Sequence, residues 1–337
     1  MLKVAIIGFG GIAKAVHVGA YEQLEASGKA KLVAVCDIRE ECFTQKQEIN
    51  IGGSDSLIGE NVHTYTDWRE MLDKEKVDLV DVCLPTFLHA PVSIEALKRG
   101  FNVLCEKPMS LTYDDCLKMI DAAKSSGKQL MIGQCLRFGS KYRYLKKVID
   151  EGEFGKVKGA TFRRLSTTPV WGWDNWFMDY ERSHGCIQDM HVHDIDIARF
   201  LFGEPLLVSC VTTDVYSRKD SARSTLLYDG FSVLAVGDWT LEGMPFSAEY
   251  LVSFEKATVE YKGDVITVYP RGGEAYKPPV ESDNFYFNEI EFFADVIEKG
   301  GKNELNPPES AAKSIKLIET LIKSSDNGSA FTAFSAD

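Results

Sequence analysis

The chain has 337 residues, 45% of them hydrophobic and 26% charged, a globular balance with room for two ordinary domains. Its net charge of -12 argues against a large nucleic-acid footprint and against docking on anionic membranes, since both need basic faces. No apolar run reaches the ~18 residues that a transmembrane helix requires, so no membrane partner is expected.

The opening MLKVAIIGFGG has an apolar core too short for a secretion signal and no small-residue cleavage site, so a mature cytoplasmic start is expected. The cysteines, at 36, 42, 83, 105, 116, 135, 186 and 210, form no CxxC pair, which suits buried thiols in a reducing compartment. Residues 3–7, KVAII, read as a strand, followed by GFGGIA and a helix to about Leu24. This is GxGxxA between strand and helix. Gly8 permits the tight turn, Gly10 lets backbone approach a pyrophosphate, and Ala13 allows close helix–strand packing. Gly11 and Ile12 complete the turn, where the helix N-terminus offers N–H groups to phosphates. Such turns also occur without ligands. The next strand, KLVAVCD, ends at Asp37, which can accept from ribose hydroxyls and would repel a 2′-phosphate. That favours NAD; Arg39 keeps NADP open, and Asp37 could instead cap a helix.

The alternation continues. VDLVDVCL (77–84) precedes a helix ending near Gly100, NVLCE (102–106) precedes a helix over Thr112–Ser126, and QLMIGQC (129–135) adds a sixth strand. Continuous apolar strands between helices imply a doubly wound parallel sheet whose ligands sit beyond the strands' carboxyl ends. Those ends carry Gly8, Asp37, Pro85-Thr86 and Glu106-Lys107-Pro108. A lysine directly after a buried strand, followed by a proline that fixes the backbone, could donate to a nicotinamide ribose and to a substrate hydroxyl. The alternative is a solvated loop lysine.

Residues 188–196, QDMHVHDID, read as helix bounded by Gly185 and Gly203. At roughly 100° per residue, Asp189, His193 and Asp196 share one stripe while His191 and Asp194 point away. These groups cannot converge on one ion, so no metal is expected. Proton transfer fits better: His193 would serve as base, Asp189 would orient it or bind a substrate hydroxyl, and Asp196 would make a structural bond. A buried polar helix is the plain alternative.

GFGGIA, Asp37, PTFLH (85–89), Glu106-Lys107-Pro108 and the DxxxH of DMHVHDID together resemble the Gfo/Idh/MocA oxidoreductase family over essentially the whole chain. The resemblance implies a Rossmann NAD(P)-binding domain, taken as 1–135. An α+β substrate-binding and oligomerisation domain, taken as 136–337, follows, with a large, mostly antiparallel open sheet. It places Lys107 between cofactor and substrate, assigns Asp189 and His193 as the DxxxH pair, and puts Pro85, His89 and Glu106 on the cofactor side. Two departures stand out. Leu84-Pro85-Thr86 replaces the family's Thr-Pro-Asn, and His191 stands where the family often has glycine.

From KVKGATFRRLS (156–166) the pattern lengthens, and residues 205–270 alternate as an antiparallel meander with turns at Asp229-Gly230 and Lys262-Gly263. One face would cover helices; the other would pair with a second subunit in a homodimer or homotetramer. Helices follow at 285–300 and 308–324, and the polar tail Ser325–Asp337 is expected to be loose. The segment 169–185 is rich in tryptophan. Trp173, Trp176, Arg163 and Arg137 are therefore candidates for a carbohydrate pocket, or simply packing. The leading reading is an α/β NAD(P)-dependent dehydrogenase acting on a CH–OH group of a sugar, polyol or cyclitol. The alternatives are an NAD-dependent glycosidase with transient oxidation and a non-enzymatic nucleotide-binding sensor. Lys107, Asp189 and His193 count against the sensor.

Overall fold

The computed structural model describes residues 1–45, 49, 58, 59 and 61–336. The chain packs into two units: Met1–Cys135 with Trp171–Asp174 and Tyr286–Ala312, and Leu136–Val170 with Asn175–Phe285 and Lys313–Asp337.

The first unit runs β1 (Leu2–Ile7), α1 (Val18–Ala26), β2 (Ala30–Cys36), β3 (His63–Tyr65), α2 (Trp68–Lys74), β4 (Leu79–Val82), α3 (Thr86–Lys98), β5 (Asn102–Cys105), α4 (Tyr113–Ser126) and β6 (Leu130–Ile132). All strands are parallel, in the order β3-β2-β1-β4-β5-β6. Val4, Ala5 and Ile6 are fully buried, as a strand covered on both faces requires. The order reverses between β1 and β4, which opens a crevice at their carboxyl ends. Helix α4 shows why boundaries were readable: the Thr112 hydroxyl accepts from the Asp115 N–H, and Gly127 closes the helix at φ +68°. Strand β3 gave no such signal, being three residues long with two of them exposed.

The second unit holds α5 (Ser140–Glu151), β7 (Val157–Leu165), α6 (Tyr180–Ser183), α7 (Gly185–Asp189), α8 (Val192–Phe202), β8 (Leu207–Thr213), β9 (Ser221–Tyr228), β10 (Phe231–Asp238), β11 (Ser247–Phe254), β12 (Ala257–Lys262) and β13 (Val265–Pro270). After these come α9 (Phe285–Lys299), α10 (Pro308–Asp326) and β14 (Thr332–Ala333). The eight-stranded sheet has the order β13-β12-β11-β7-β10-β9-β8-β14. It departs from a simple meander, because β7 inserts between β10 and β11, parallel to β10 and antiparallel to β11. Ala160, Phe162 and Arg164 of β7 are buried, which turns Thr161 and Arg163 to the opposite face. Part of the tail expected to be loose is tied down: Thr332 and Ala333 form a short edge strand with Val208 and Leu207. Helix α9 belongs to the first unit apart from Phe285 and buries Ile290, Phe293 and Ala294 there. Among the described residues, no helix is long and apolar enough to cross a membrane.

Candidate functional site

The carboxyl edge of the parallel sheet gathers the first set of residues. Gly8 has φ +94°, and a Cβ there would stand 2.4 Å from the Cys83 carbonyl oxygen, so only glycine fits beside the neighbouring strand. Helical turns begin at Gly11 and Ile12, widen to π geometry across Ala13–His17, and continue as α1. Asp37 accepts from the Phe9 N–H at 3.1 Å, the Arg39 N–H at 3.0 Å and Arg39 Nε at 3.2 Å. Arg39 thus leans on the acid that favours an unphosphorylated ribose.

Pro85 precedes α3, and the buried ring of His89 lies 2.7 Å from both the Leu84 and the Pro108 carbonyl oxygens. Burial pushes the His89 pKa down against the pull of these two carbonyls, and the neutral ring donates to one of them only. Thr86, placed at the sheet edge from the sequence but given no role there, has a buried hydroxyl with no hydrogen-bond partner among the described residues. The tight glycine cradle and this orphaned hydroxyl fit a dinucleotide lying over the sheet edge. Glu106 is buried; its Oε2 accepts the Lys107 N–H at 3.0 Å and its Oε1 lies 3.0 Å from His17 Nε2. Of residues 103–110, Lys107 alone is not buried.

His17, Asp81 and Cys83 bring their polar atoms within 4.8 Å of one another. The 2.7 Å separation of His17 Nδ1 from Asp81 is a hydrogen bond, and the other ring nitrogen is committed to Glu106, so these contacts are those of a polar network. A sequence signal for it existed: Asp81 is a charge in the middle of an otherwise apolar buried strand.

In the second unit the expected single helix over 185–203 keeps its bounds but is interrupted. Helix α7 ends at Asp189, and the His191 N–H reaches back to the Cys186 oxygen, five residues earlier, at 2.9 Å. This wide turn sends His191 inward. Its Nε2 lies 2.9 Å from the Ser224 hydroxyl, and its ring presses on β10, where a Cβ on Gly237 would stand 2.9 Å from Nδ1. Burial, with the Arg164 charge, pushes the His191 pKa down to about 3, so this histidine is neutral packing. Asp194 pairs with Arg164 through both oxygens at 3.1 Å. Asp196 takes Arg137 Nε at 2.8 Å, Arg137 Nη2 at 2.7 Å and the Ser314 hydroxyl at 2.7 Å. Across residues 185–199 only Asp189 and His193 escape burial.

The remaining candidates separate. Arg137 is 2% exposed and its guanidinium binds Asp196 and lies over Phe200, which makes it a support for α8 rather than a group turned to a ligand. Arg163 lies on the open sheet face beside Glu249, because alternation spends the inward position on Arg164. Trp176 is buried and stacks on Phe177 with ring centroids 4.0 Å apart, so it packs. Trp173 is half-buried at the start of the short helical turn Trp173–Met178.

Known proteins share this organisation. Residues 2–134 match the model of an oxidoreductase family with an NAD-binding Rossmann fold, and residues 142–260 match the GFO/IDH/MocA C-terminal domain. The chain is 30% identical over 325 residues to an inositol 2-dehydrogenase of Rhizobium meliloti (strain 1021), covering 89% of this chain and 90% of that protein. It is 32% identical over 208 residues to a D-glucoside 3-dehydrogenase of Escherichia coli (strain K12), covering 62% of this chain and 56% of that one, a little over half its length. The crystal structure of the WlbA dehydrogenase from Bordetella pertussis, in complex with NADH and UDP-GlcNAcA, superposes with a TM-score of 0.81 at 19% identity, covering 100% of this chain and 99% of that chain.

Proposed function

This chain belongs to the GFO/IDH/MocA oxidoreductase family, and from that premise we propose that it transfers a hydride between a nicotinamide and a secondary hydroxyl or carbonyl of a sugar, polyol or cyclitol. One pattern of burial carries the reading. Lys107 is the one partly exposed residue of an otherwise buried strand end, and Asp189 and His193 are the partly exposed pair of an otherwise buried helical stretch. Polar side chains held out of a buried frame are placed to meet a ligand rather than to stabilise the core.

Gly8, Gly10, Gly11, Ile12 and Ala13 would hold the phosphates of NAD and Asp37 its ribose, and NAD bound there would supply the hydride-transfer chemistry. The Lys107 ammonium donates to the substrate oxygen and stabilises negative charge developing on it. His193 takes the hydroxyl proton on oxidation and gives it back on reduction. Asp189 orients the imidazole or binds the neighbouring hydroxyl. Trp173 offers an aromatic face to the sugar. Residues 1–135, with Trp171–Asp174 and Tyr286–Ala312 packed in the same unit, would form the nucleotide-binding part, and the rest of 136–337 would serve substrate and assembly. The second sheet's open face supports a homodimer or homotetramer, because it exposes Val211, Leu234, Leu251 and Tyr269. Eight free, buried cysteines suit the cytoplasm.

The test is absorbance of reduced nicotinamide with NAD or NADP and a panel of inositols, aldoses and sugar acids. A rise with NAD that Lys107→Ala and His193→Ala each lower about 100-fold or more is expected. No rise across the panel, with nucleotide demonstrably bound, would move the chain to transient-oxidation glycoside cleavage or to sensing. Near-normal turnover in His193→Ala would end its role as base.

A further inference from the structure

Hydride transfer leaves one buried polar cluster of the first unit unexplained. The wide turn across Ala13–His17 drives His17, 0% exposed, toward the sheet. There its Nδ1 meets Asp81 Oδ2 at 2.7 Å, and its Nε2 meets Glu106 Oε1 at 3.0 Å. Asp81 is itself held by the Tyr21 hydroxyl at 2.7 Å and the Cys83 thiol at 3.5 Å. The other Glu106 oxygen accepts the Lys107 N–H at 3.0 Å. Gly133 makes room for the Glu106 carboxylate, since a Cβ there would stand 3.2 Å from Oε1. From α9, the fully buried Glu289 carboxyl has no hydrogen-bond partner among the described residues.

Chemistry assigns the charges. An imidazole between two carboxylates donates from both nitrogens only as the imidazolium. Burial opposes that charge, yet Asp81 above all holds the His17 pKa well above its ordinary value. Burial, reinforced by the Glu106 charge, holds Glu289 protonated. The groups facing His17 are therefore Tyr21 from α1, Asp81 and Cys83 from β4 and its end, Glu106 from the end of β5, and Glu289 from α9.

We propose that His17 is a positioning residue: anchored on Asp81, it holds the Glu106 carboxylate against the Lys107 N–H and so fixes the point from which the Lys107 side chain reaches out. This rests on the role given to Lys107 above. A misplacement of about 1 Å at a reacting group costs about 100-fold in rate, so a clamp one residue from the ammonium is felt in turnover.

Two substitutions separate the clamp from simple filling of space. In His17→Gln an amide N–H can stand where Nε2 stood and keep Glu106; in His17→Asn the amide reaches only the Asp81 side. The expected result is kcat within about threefold of normal for His17→Gln and about 10- to 100-fold lower for His17→Asn, with KM for NAD changed less than about twofold in both. Equal losses in the two variants, or normal kcat in both, would overturn the proposal. Should His17→Asn fail to fold, Glu106→Gln carries the test. Its single amide oxygen serves His17 or the Lys107 N–H but not both, so a kcat-only loss is expected and normal kcat overturns the clamp. Lys107→Ala distinguishes the two levels. Retained turnover there removes the role of Lys107 and the clamp with it. Lost turnover there, with normal His17→Asn, removes the clamp alone.

Discussion

His17 and His191 are both fully buried, one in each unit, yet they carry opposite charge states. His17 sits between Asp81 and Glu106 and is held as a cation. His191 sits by the Ser224 hydroxyl and the Arg164 charge and is held neutral, its pKa pushed down to about 3 by burial first. Burial alone disfavours the charged ring, and only the close carboxylate at His17 reverses that sign. A buried cation needs fixed acceptors on both sides, which makes it a clamp. A buried neutral ring needs room, which makes it a packing piece that shaped Gly237.

The strongest way to break this contrast is Asp81→Ala. It strips His17 of its nearest carboxylate and leaves buried charge uncompensated, so a loss of about 3–5 kcal/mol is expected in urea unfolding. Stability unchanged within error would show that His17 is not held as a cation. Next comes Gly237→Ala, whose new methyl would press on the His191 ring; about 1–3 kcal/mol should be lost. A neutral result there would mean that the ring moves aside freely.

Changing pH sharpens the comparison without a mutation. His17, raised above 6.5, contributes its full stability below that pH and loses it as pH climbs toward its folded value. His191, depressed from 6.5 to about 3, does the reverse: its contribution is complete above 6.5 and fades as the unfolded chain takes up a proton at lower pH. Each acts with a limiting slope of about 1.4 kcal/mol per pH unit. The pair therefore favours a stability maximum near pH 6.5, read from urea midpoints at several pH values. A monotonic rise with pH from 5 to 8 would mean that carboxylates, not these rings, dominate. The smallest effect belongs to charges left in water. Arg69→Ala removes the Arg69–Glu95 pair at 2.8 Å, whose arginine is 55% exposed, and should cost less than about 1 kcal/mol, fading in high salt.

Where a local pattern decided structure, the sequence could be read closely. KVAII became β1, the caps at Thr112 and Gly127 closed α4, and the helix expected at 285–300 appears as Phe285–Lys299. Gly8 was legible because one backbone contact leaves no alternative residue. Features set by distant partners were not legible. The break at Met190–His191 answers to Ser224 and Gly237, which lie on other strands. The wide turn that aims His17 at Asp81 and Glu106 has no local signature, since its sequence is ordinary helix. Arg163 could have been placed better: in a strand of period two, FRRL must send one arginine inward and one outward. Arg137 gave no warning, because its partner Asp196 lies 59 residues on.

Helix α9 has one more consequence, for the order of events on the ribosome. It brings Ile290, Phe293 and the Glu289 carboxyl into the first unit, and Asn306 Nδ2 donates to the Ile132 oxygen at 2.6 Å. Residues 1–135 emerge about 150 residues ahead of this cover, which at 5–20 residues per second is a wait of roughly 8–30 s. For that interval the nascent nucleotide-binding sheet has apolar surface with nothing yet made to shield it. It is then a natural client for chaperones, and a ribosome stalled before residue 285 would release a sheet prone to clump.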